Sequence, residues 1–258
     1  MSPFLSAALE AAQVAAEIIT RLYRENLVVS YKADQSPVTR ADVESESAIR
    51  SVLEARFPDH GFFGEESGGT RANSDYLWLV DPIDGAKAFV RRYPMFSTQI
   101  ALMWRSELIV GVSSAPLYQE IAYAERGAGA WLNGQPVNVS SIESIDACAL
   151  SAGNLRTLAS GTRWSAYGQI VSRVNRIRGY GDFLHYHLLA SGRIDAVLES
   201  DVNILDIAAL AVIVREAGGV FTDLEGRPVN VGTTSVLAAN RLLHGRLLSA
   251  LGVESAVE

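Results

Sequence analysis

Tyr76-Leu77-Trp78-Leu79-Val80-Asp81-Pro82-Ile83-Asp84-Gly85-Ala86 decides how the rest of the chain is read. A short run of large apolar residues has the form of a buried strand, and it ends abruptly in an acid. Pro82 forces a turn, and Asp84-Gly85 opens a helix expected to run through Lys87, Ala88 and Phe89. Two carboxylates three residues apart across a sharp turn can face one point, and the Ile83 carbonyl between them offers a third hard oxygen. Oxygen-only ligands on rigid backbone suit Mg²⁺, which takes few protein carboxylates and keeps positions for phosphate oxygens and water. The backbone N–H groups of Gly85 and Ala86, at the start of that helix, are natural donors to a phosphate. The same residues fit a turn followed by a helix cap, an equally ordinary use of Asp. Taken alone, the segment leaves both readings open.

Upstream, Ser2 and Pro3 have the order of an N-cap and first helical position, and the glycine-free stretch to about Asn26 predicts a helix. Leu5, Leu9, Ala12, Ala16, Ile19 and Tyr23 recur at helical spacing as its buried face. A second helix starts after Thr39 or Asp42, turns Ile49, Val52, Leu53 and Phe57 inward, and stops at Pro58-Asp59-His60-Gly61. Downstream, Ser97–Trp104, Leu108–Ser114, Glu120–Glu125 and Ala130–Leu132 read as consecutive strands with short loops, so an antiparallel sheet is expected in the first half. Asn133-Gly134 is a strong hairpin signal. From about Ala147 strands alternate with helices: strands at 149–152, 194–198, 220–222 and 235–239, helices at 164–174, 182–190, 206–217 and 242–251. The chain is accordingly divided into an N-terminal α+β part, 1–145, with most of the candidate ligands, and a C-terminal α/β part, 146–258, that completes the site.

Two more acids stand where chemistry can use them. Glu65, in Gly64-Glu65-Glu66-Ser67, follows the apolar pair Phe62-Phe63 and is the better candidate to point inward; Glu66 reads as a solvated loop residue. Asp206 opens an apolar helix behind Asn203, a placement that the helix dipole alone would explain. Composition agrees with a protein that holds cations. The chain has 258 residues, 48% of them apolar and 20% charged, with a net charge of −7, which opposes nonspecific nucleic-acid binding. A single cysteine, Cys148 in an apolar setting, excludes an internal disulfide framework and suits a reducing cytoplasm. No signal-peptide pattern and no run of 18 apolar residues is present, so a soluble cytoplasmic protein is expected. His60, His185, His187 and His244 show no metal or triad spacing, and Trp78, Trp104, Trp131 and Trp164 read as core or sheet packing.

In order and spacing, Asp34-Gln35-Ser36-Pro37-Val38-Thr39-Arg40-Ala41-Asp42, then Gly64-Glu65-Glu66-Ser67, then Asp81-Pro82-Ile83-Asp84-Gly85, then Leu205-Asp206-Ile207-Ala208-Ala209 with Glu216-Ala217-Gly218-Gly219, resemble the inositol monophosphatase family along nearly the whole chain. That resemblance implies a layered αβαβα sandwich of the α+β and α/β kind, two or three Mg²⁺ ions, inhibition by Li⁺ and a homodimer. It makes Glu65, Asp81, Asp84, Asp206 and the Ile83 carbonyl the metal ligands, with Glu65 and Asp84 catalytic and Gly85 and Ala86 on the phosphate. The activity implied is phosphomonoester hydrolysis by in-line attack of a metal-activated water.

Within the family, Asp81-Pro82-Ile83-Asp84-Gly85 with Lys87 and Phe89-Val90-Arg91, together with Arg176-Ile177-Arg178-Gly179-Tyr180-Gly181-Asp182-Phe183-Leu184, look most like the histidinol-phosphate phosphatase branch, a step of histidine biosynthesis. Histidinol phosphate carries an ammonium group and an imidazole, so acids beyond the phosphate site favour it, and Asp182 and Glu199 are the candidates. Asp182 fits a helix N-cap after Gly181 equally well, and Glu199 matches the residue that reads substrate hydroxyls in inositol phosphatases. An inositol or related polyol phosphate is therefore the alternative substrate. The sequence departs from the family pattern twice: Ala86 stands where Thr is usual, removing a hydroxyl that orients the attacking water, and Leu205 stands where Trp is usual. Loss of one such hydrogen bond costs on the order of ten- to a thousandfold in rate. These departures keep open a third reading, a weakly active or inactive relative that binds cations or a sugar phosphate for regulation.

Overall fold

The computed structural model of the chain describes residues 1–25, 29–31, 37–70 and 74–253. Asn26 and the motif residues Asp34, Gln35 and Ser36 lie outside the described residues. The chain forms two compact units, the first of residues 1–135 and 205–213, the second of 136–204 and 214–258. The first break falls before the 145/146 division drawn from the sequence, and the segment bearing Asp206 belongs to the first unit rather than to the C-terminal part.

The first unit begins with α1 (Pro3–Tyr23), capped as expected: the Ser2 hydroxyl accepts from the Leu5 N–H at 3.2 Å. Its buried face is Leu5, Ala7, Ala8, Ala11, Ala12, Ala15, Ile19 and Leu22. Alanines carry most of that face, because small side chains let the helix lie close against its neighbours; Leu9 and Tyr23 pack half-buried against the same core, and Ala16 is half-buried. After β1 (Val29–Tyr31) and β2 (Pro37–Thr39), α2 (Arg40–Arg56) starts at a capping box. Asp42 accepts the Thr39 N–H at 2.8 Å, while the Thr39 hydroxyl accepts from Ala41 N–H at 3.1 Å.

Then come β3 (Gly61–Gly64), β4 (Gly68–Thr70), β5 (Tyr76–Asp84), α3 (Ala86–Val90), β6 (Ser97–Trp104), β7 (Glu107–Ala115), β8 (Glu120–Glu125) and β9 (Ala130–Leu132). These strands lie in the order β9-β8-β7-β6-β5-β3-β4 within one eight-stranded sheet, whose eighth strand, β10 (Gln135–Val137), adds at the β9 edge. Neighbouring pairs from β9 to β4 are antiparallel except β3 and β5, which run parallel. Gly68 and Gly69 belong to strand β4, and Glu65, Glu66 and Ser67 are the loop that joins it to β3. Asn133-Gly134, both at positive φ as a hairpin turn requires, lead into β10.

The second unit contains β11 (Ala149–Ala152), α4 (Arg156–Ser160), α5 (Trp164–Arg173), β12 (Arg176–Arg178), α6 (Asp182–Ala190) and β13 (Ala196–Ser200). The helix α7 (Ile204–Glu216) gives Leu205–Ile213 to the first unit; β14 (Gly219–Thr222), β15 (Ser235–Asn240) and α8 (Arg241–Ala250) complete the second. Its sheet has the order β12-β11-β13-β15-β14, parallel on the β11 side and antiparallel around β15. Each unit has its own apolar core, around Ile49, Phe62, Trp78, Phe89 and Ile100 in the first and around Leu150, Ile170, Leu198, Leu237 and Leu247 in the second.

No helix among the described residues is long and apolar enough to cross a membrane. Trp164 is 45% exposed, not a core residue. His60 is stacked between Phe57 and Tyr76, at 4.8 and 4.6 Å. His244 lies 2.9 Å from the Thr222 hydroxyl, with its pKa pushed down to about 4 by burial. Cys148 is buried, its thiol pushed up to about 12, and inert.

Candidate active site

The acids of the first unit converge by a strand irregularity, not by the turn expected from the sequence. β5 continues through Asp81 and Pro82 to Asp84, and its register against β6 shifts between Asp81, opposite Gln99, and Asp84, opposite Ser97. Side chains three apart on a regular strand point to opposite faces. Three steps on β5 against two on β6 insert one extra residue, and that bulge brings both carboxylates to the same face. Pro82, which donates no ladder hydrogen bond, is tolerated there. The Thr98 hydroxyl holds the Pro82 carbonyl at 2.9 Å, and Asp81 accepts from the Ile83 N–H at 2.9 Å.

Asp84 is held from behind. Ser97 donates to its Oδ2 at 3.3 Å, and Gln99 donates to Ser97 at 2.8 Å and to Ser113 at 3.0 Å. Gly85, at φ 89°, follows at once. A side chain there would come within 2.4 Å of the Met95 carbonyl as well as being strained. Asp206 arrives on the first turn of α7. Gly111 of β7 lets that helix approach, since a Cβ on it would lie 2.3 Å from the Ala209 carbonyl oxygen.

Asp81, Asp84 and Asp206 each offer a carboxylate oxygen, and these three lie within 4.8 Å of one another. Asp81 is buried, the other two half-buried. Burial first, and then the charges of Glu65, Asp84 and Asp206, hold the Asp81 carboxyl well above the ordinary carboxylate range. Its hydrogen bond with Glu65 acts in the same direction. Glu65 is thus brought to the cluster, although as a residue it is exposed rather than turned into the interior. Burial and the neighbouring acids together outweigh the Ile83 N–H and oppose ionisation of Asp81, which is the condition a divalent cation relieves. The donor set is all oxygen, hard and anionic, and fits Mg²⁺ in type.

Sequence reasoning missed two supports. Ser97 and Gln99 meet Asp84 only through strand pairing, and Glu46 accepts from the N–H groups of Glu66 at 2.7 Å and Ser67 at 2.8 Å. Asp42 is buried, with its pKa raised chiefly by that burial.

The second unit holds the other pair of expected acids. Asp182 is the first residue of α6 with Gly181 as the cap, so it is not the N-cap residue. It sits at φ 44°, a conformation that a residue with a side chain adopts at a cost of order 1–3 kcal/mol. Burial raises its pKa, the charge of Glu199 adds to the effect, and His185 opposes it. Glu199 lies on β13, fully buried; its Oε1 accepts from the Tyr186 hydroxyl and is 3.3 Å from His185 Nε2. The other His185 nitrogen, Nδ1, is 3.4 Å from the Ser151 hydroxyl. Gly153 makes room for this carboxylate, because a Cβ there would lie 1.9 Å from Glu199 Oε2. Tyr186 and Gly153 carried no local signal of this in the sequence.

Comparison with known proteins gives the family and the fold. The family model described as the inositol monophosphatase family matches residues 1–255. A histidinol-phosphatase of Chlorobaculum parvum is 34% identical over 253 residues, covering 98% of both chains. A histidinol-phosphatase of Mycobacterium tuberculosis is 39% identical over 231 residues, covering 88% of both. Among solved structures, the extragenic suppressor protein suhB from Bartonella henselae superposes with a TM-score of 0.89 at 32% identity, covering 99% of this chain and 100% of that one.

Proposed function

The chain belongs to the inositol monophosphatase family and has that family's fold, and we propose that it is a Mg²⁺-dependent phosphatase whose substrate is histidinol phosphate, released as histidinol and phosphate. The observation that carries the metal dependence is the trio Asp81, Asp84 and Asp206, with carboxylate oxygens within 4.8 Å of one another and Glu65 hydrogen-bonded to Asp81. These four acids and the Ile83 carbonyl would hold the ions. When bound, Mg²⁺ polarises the phosphoryl group and lowers the pKa of a water. Glu65 and Asp84 orient that water and Glu65 takes its proton as it attacks phosphorus in line. The N–H groups of Gly85 and Ala86 receive phosphate oxygens; the first N–H groups of a helix have no acceptor within it. No covalent enzyme intermediate is needed.

For the substrate's cationic end, Asp182 and Glu199 are the acids proposed. What supports histidinol phosphate is the company Glu199 keeps. Its Oε1 is occupied by the Tyr186 hydroxyl beside His185, and a second acid, Asp182, is held nearby in a strained conformation. Two acids suit a cation better than a neutral polyol, whose hydroxyls need donors and acceptors in equal measure. A homodimer, inhibition by Li⁺ and a cytoplasmic location are proposed on the same family ground.

The test is phosphate release from histidinol phosphate and from inositol 1-phosphate, each with Mg²⁺ and with EDTA. Turnover of histidinol phosphate at least tenfold above inositol 1-phosphate, abolished by EDTA, is the expected result. Preference for inositol 1-phosphate would replace the substrate. No turnover of either would give the place to a cation- or sugar-phosphate-binding role.

A further inference from the structure

We infer that Glu46 is the positioning residue that sets the Glu65 loop for cation binding, an inference that rests on Glu65 being a metal ligand. Glu46 lies on α2, four residues after Asp42, and is 3% exposed. It spends both carboxylate oxygens on one loop: Oε2 accepts from the Glu66 N–H at 2.7 Å and Oε1 from the Ser67 N–H at 2.8 Å. The N–H of Glu65 itself goes to the Val80 carbonyl at 3.1 Å, one residue before Asp81. Glu65 is therefore bracketed, with its own amide on the strand that carries the aspartates and the next two amides on Glu46.

Gly64 completes the arrangement. A Cβ on it would lie 2.5 Å from both the carboxyl carbon and Oε2 of Glu46, so the carboxylate fills the space that a side chain at 64 would need. The φ of Gly64 is not in the left-handed region, so the glycine is there for room.

A buried carboxylate beside other acids is a costly way to tie down a loop if any acceptor would serve. Its advantage is two acceptors in one plane, which fix two consecutive N–H groups and hence the direction of the chain leaving Glu65. Glutamine keeps the size but offers one oxygen and turns an N–H₂ toward the other amide. Glu46→Gln therefore frees the loop while preserving the packing. Supports one step behind a metal ligand are worth about ten- to a hundredfold in metal affinity.

The experiment is Mg²⁺ binding to the full chain by titration calorimetry in the wild type, Glu46→Gln, Glu65→Ala and the double variant. Glu46→Gln is expected to weaken binding by about ten- to a hundredfold. The double variant should bind no more weakly than Glu65→Ala, since the tie acts only through that residue. The Mg²⁺ concentration needed for half-maximal phosphate release should rise with Glu46→Gln, while the substrate KM at saturating Mg²⁺ stays unchanged. Gly64→Ala, which keeps the Glu46 carboxylate but must displace it, should weaken Mg²⁺ binding in the same direction and serves if Glu46→Gln does not fold.

Wild-type binding in Glu46→Gln or Gly64→Ala, beside weakened binding in Glu65→Ala, overturns the inference and leaves Glu65 a ligand. Additive losses in the double variant overturn it as well, showing a purely structural tie. Undiminished binding in Glu65→Ala removes Glu65 from the ligand set and the inference with it.

Discussion

Asp81→Asn removes one negative charge from the point where burial and three neighbouring acids oppose it. At the 4.8 Å limit that separates its oxygen from those of Asp84 and Asp206, two unit charges repel by about 3 to 4 kcal/mol at an effective dielectric constant of about 20. That exceeds the roughly 1.4 kcal/mol equal to one pH unit, so the metal-free protein keeps a proton at Asp81 far above the usual carboxylate range. Asparagine is close in shape to that protonated acid. Its carbonyl can keep the 2.9 Å bond from the Ile83 N–H, and its amide can donate to Glu65. The metal-free variant should therefore melt within about 2 °C of the wild type, or above it, despite a substitution in a buried site.

The loss appears only with metal. Mg²⁺ at a hundred times its Kd stabilises the wild type by about 2.7 kcal/mol. For a chain of this size that is a rise in Tm of roughly 5 to 10 °C, and it should vanish in Asp81→Asn over the same Mg²⁺ range. The assay is thermal melting in EDTA and across a Mg²⁺ titration. The reasoning fails if Asp81→Asn melts 10 °C or more below the wild type in EDTA yet gains the full increment with Mg²⁺. That result would make Asp81 a structural acid.

The pH dependence has a definite sign. Because the folded pKa of Asp81 is raised, its contribution to metal-free stability is complete below the unfolded carboxylate pKa of about 4 and is lost as pH rises through the folded value. The Tm of Asp81→Asn minus that of the wild type, both in EDTA, should therefore grow from pH 4 toward neutrality; a flat difference would contradict the assignment. Ala86→Thr restores the hydroxyl usual in the family and should raise kcat for phosphate release by on the order of tenfold or more at unchanged Mg²⁺ affinity; an unchanged kcat would show that no such hydroxyl is used here. Gly153→Ala drives a Cβ to 1.9 Å from Glu199 Oε2 and must displace that carboxylate. At about 1.5 to 3 kcal/mol for a charged hydrogen bond, kcat/KM on histidinol phosphate should fall by roughly ten- to a hundredfold, with little change on p-nitrophenyl phosphate. Equal losses on both would take Glu199 out of substrate recognition.

What the sequence could show depended on how local the cause was. The Ser2 cap, the Thr39 and Asp42 capping box and the Asn133-Gly134 turn act within four residues, and the elements they bound lie where periodicity put them. Leu5, Ala12 and Ile19 face inward on α1 as their spacing predicts, whereas Ala7, Ala8, Ala11 and Ala15 are not legible, because close packing favours small side chains that hydrophobicity ranks low. The convergence of Asp81 and Asp84 is legible in the sequence, but as a turn. The chain instead uses a bulge, a property of pairing with β6 that Asp81-Pro82-Ile83-Asp84 alone does not show. Ser97, Gln99, Glu46 and Gly153 are invisible for the same reason: each acts on a residue across a strand, loop or helix, and nothing beside it in the chain announces the contact.

The two groups of acids differ in what already answers their charge, and that difference separates their roles better than their positions in the sequence. Around Asp81 burial, three neighbouring charges and the Glu65 hydrogen bond all push in one direction, so the group stores an unfavourable interaction that a divalent ion would relieve. Glu199 has the Tyr186 hydroxyl on Oε1 and His185 beside it, and the pull of His185 on Asp182 opposes the push from Glu199. Acids partly balanced by neutral or weakly basic neighbours hold a fixed shape without a metal. On the proposed reading, that balanced pair is what meets the substrate's singly charged end. Removing the balance should therefore change which ester is preferred, whereas removing a member of the Asp81 group should weaken Mg²⁺ binding and lower turnover of every ester alike.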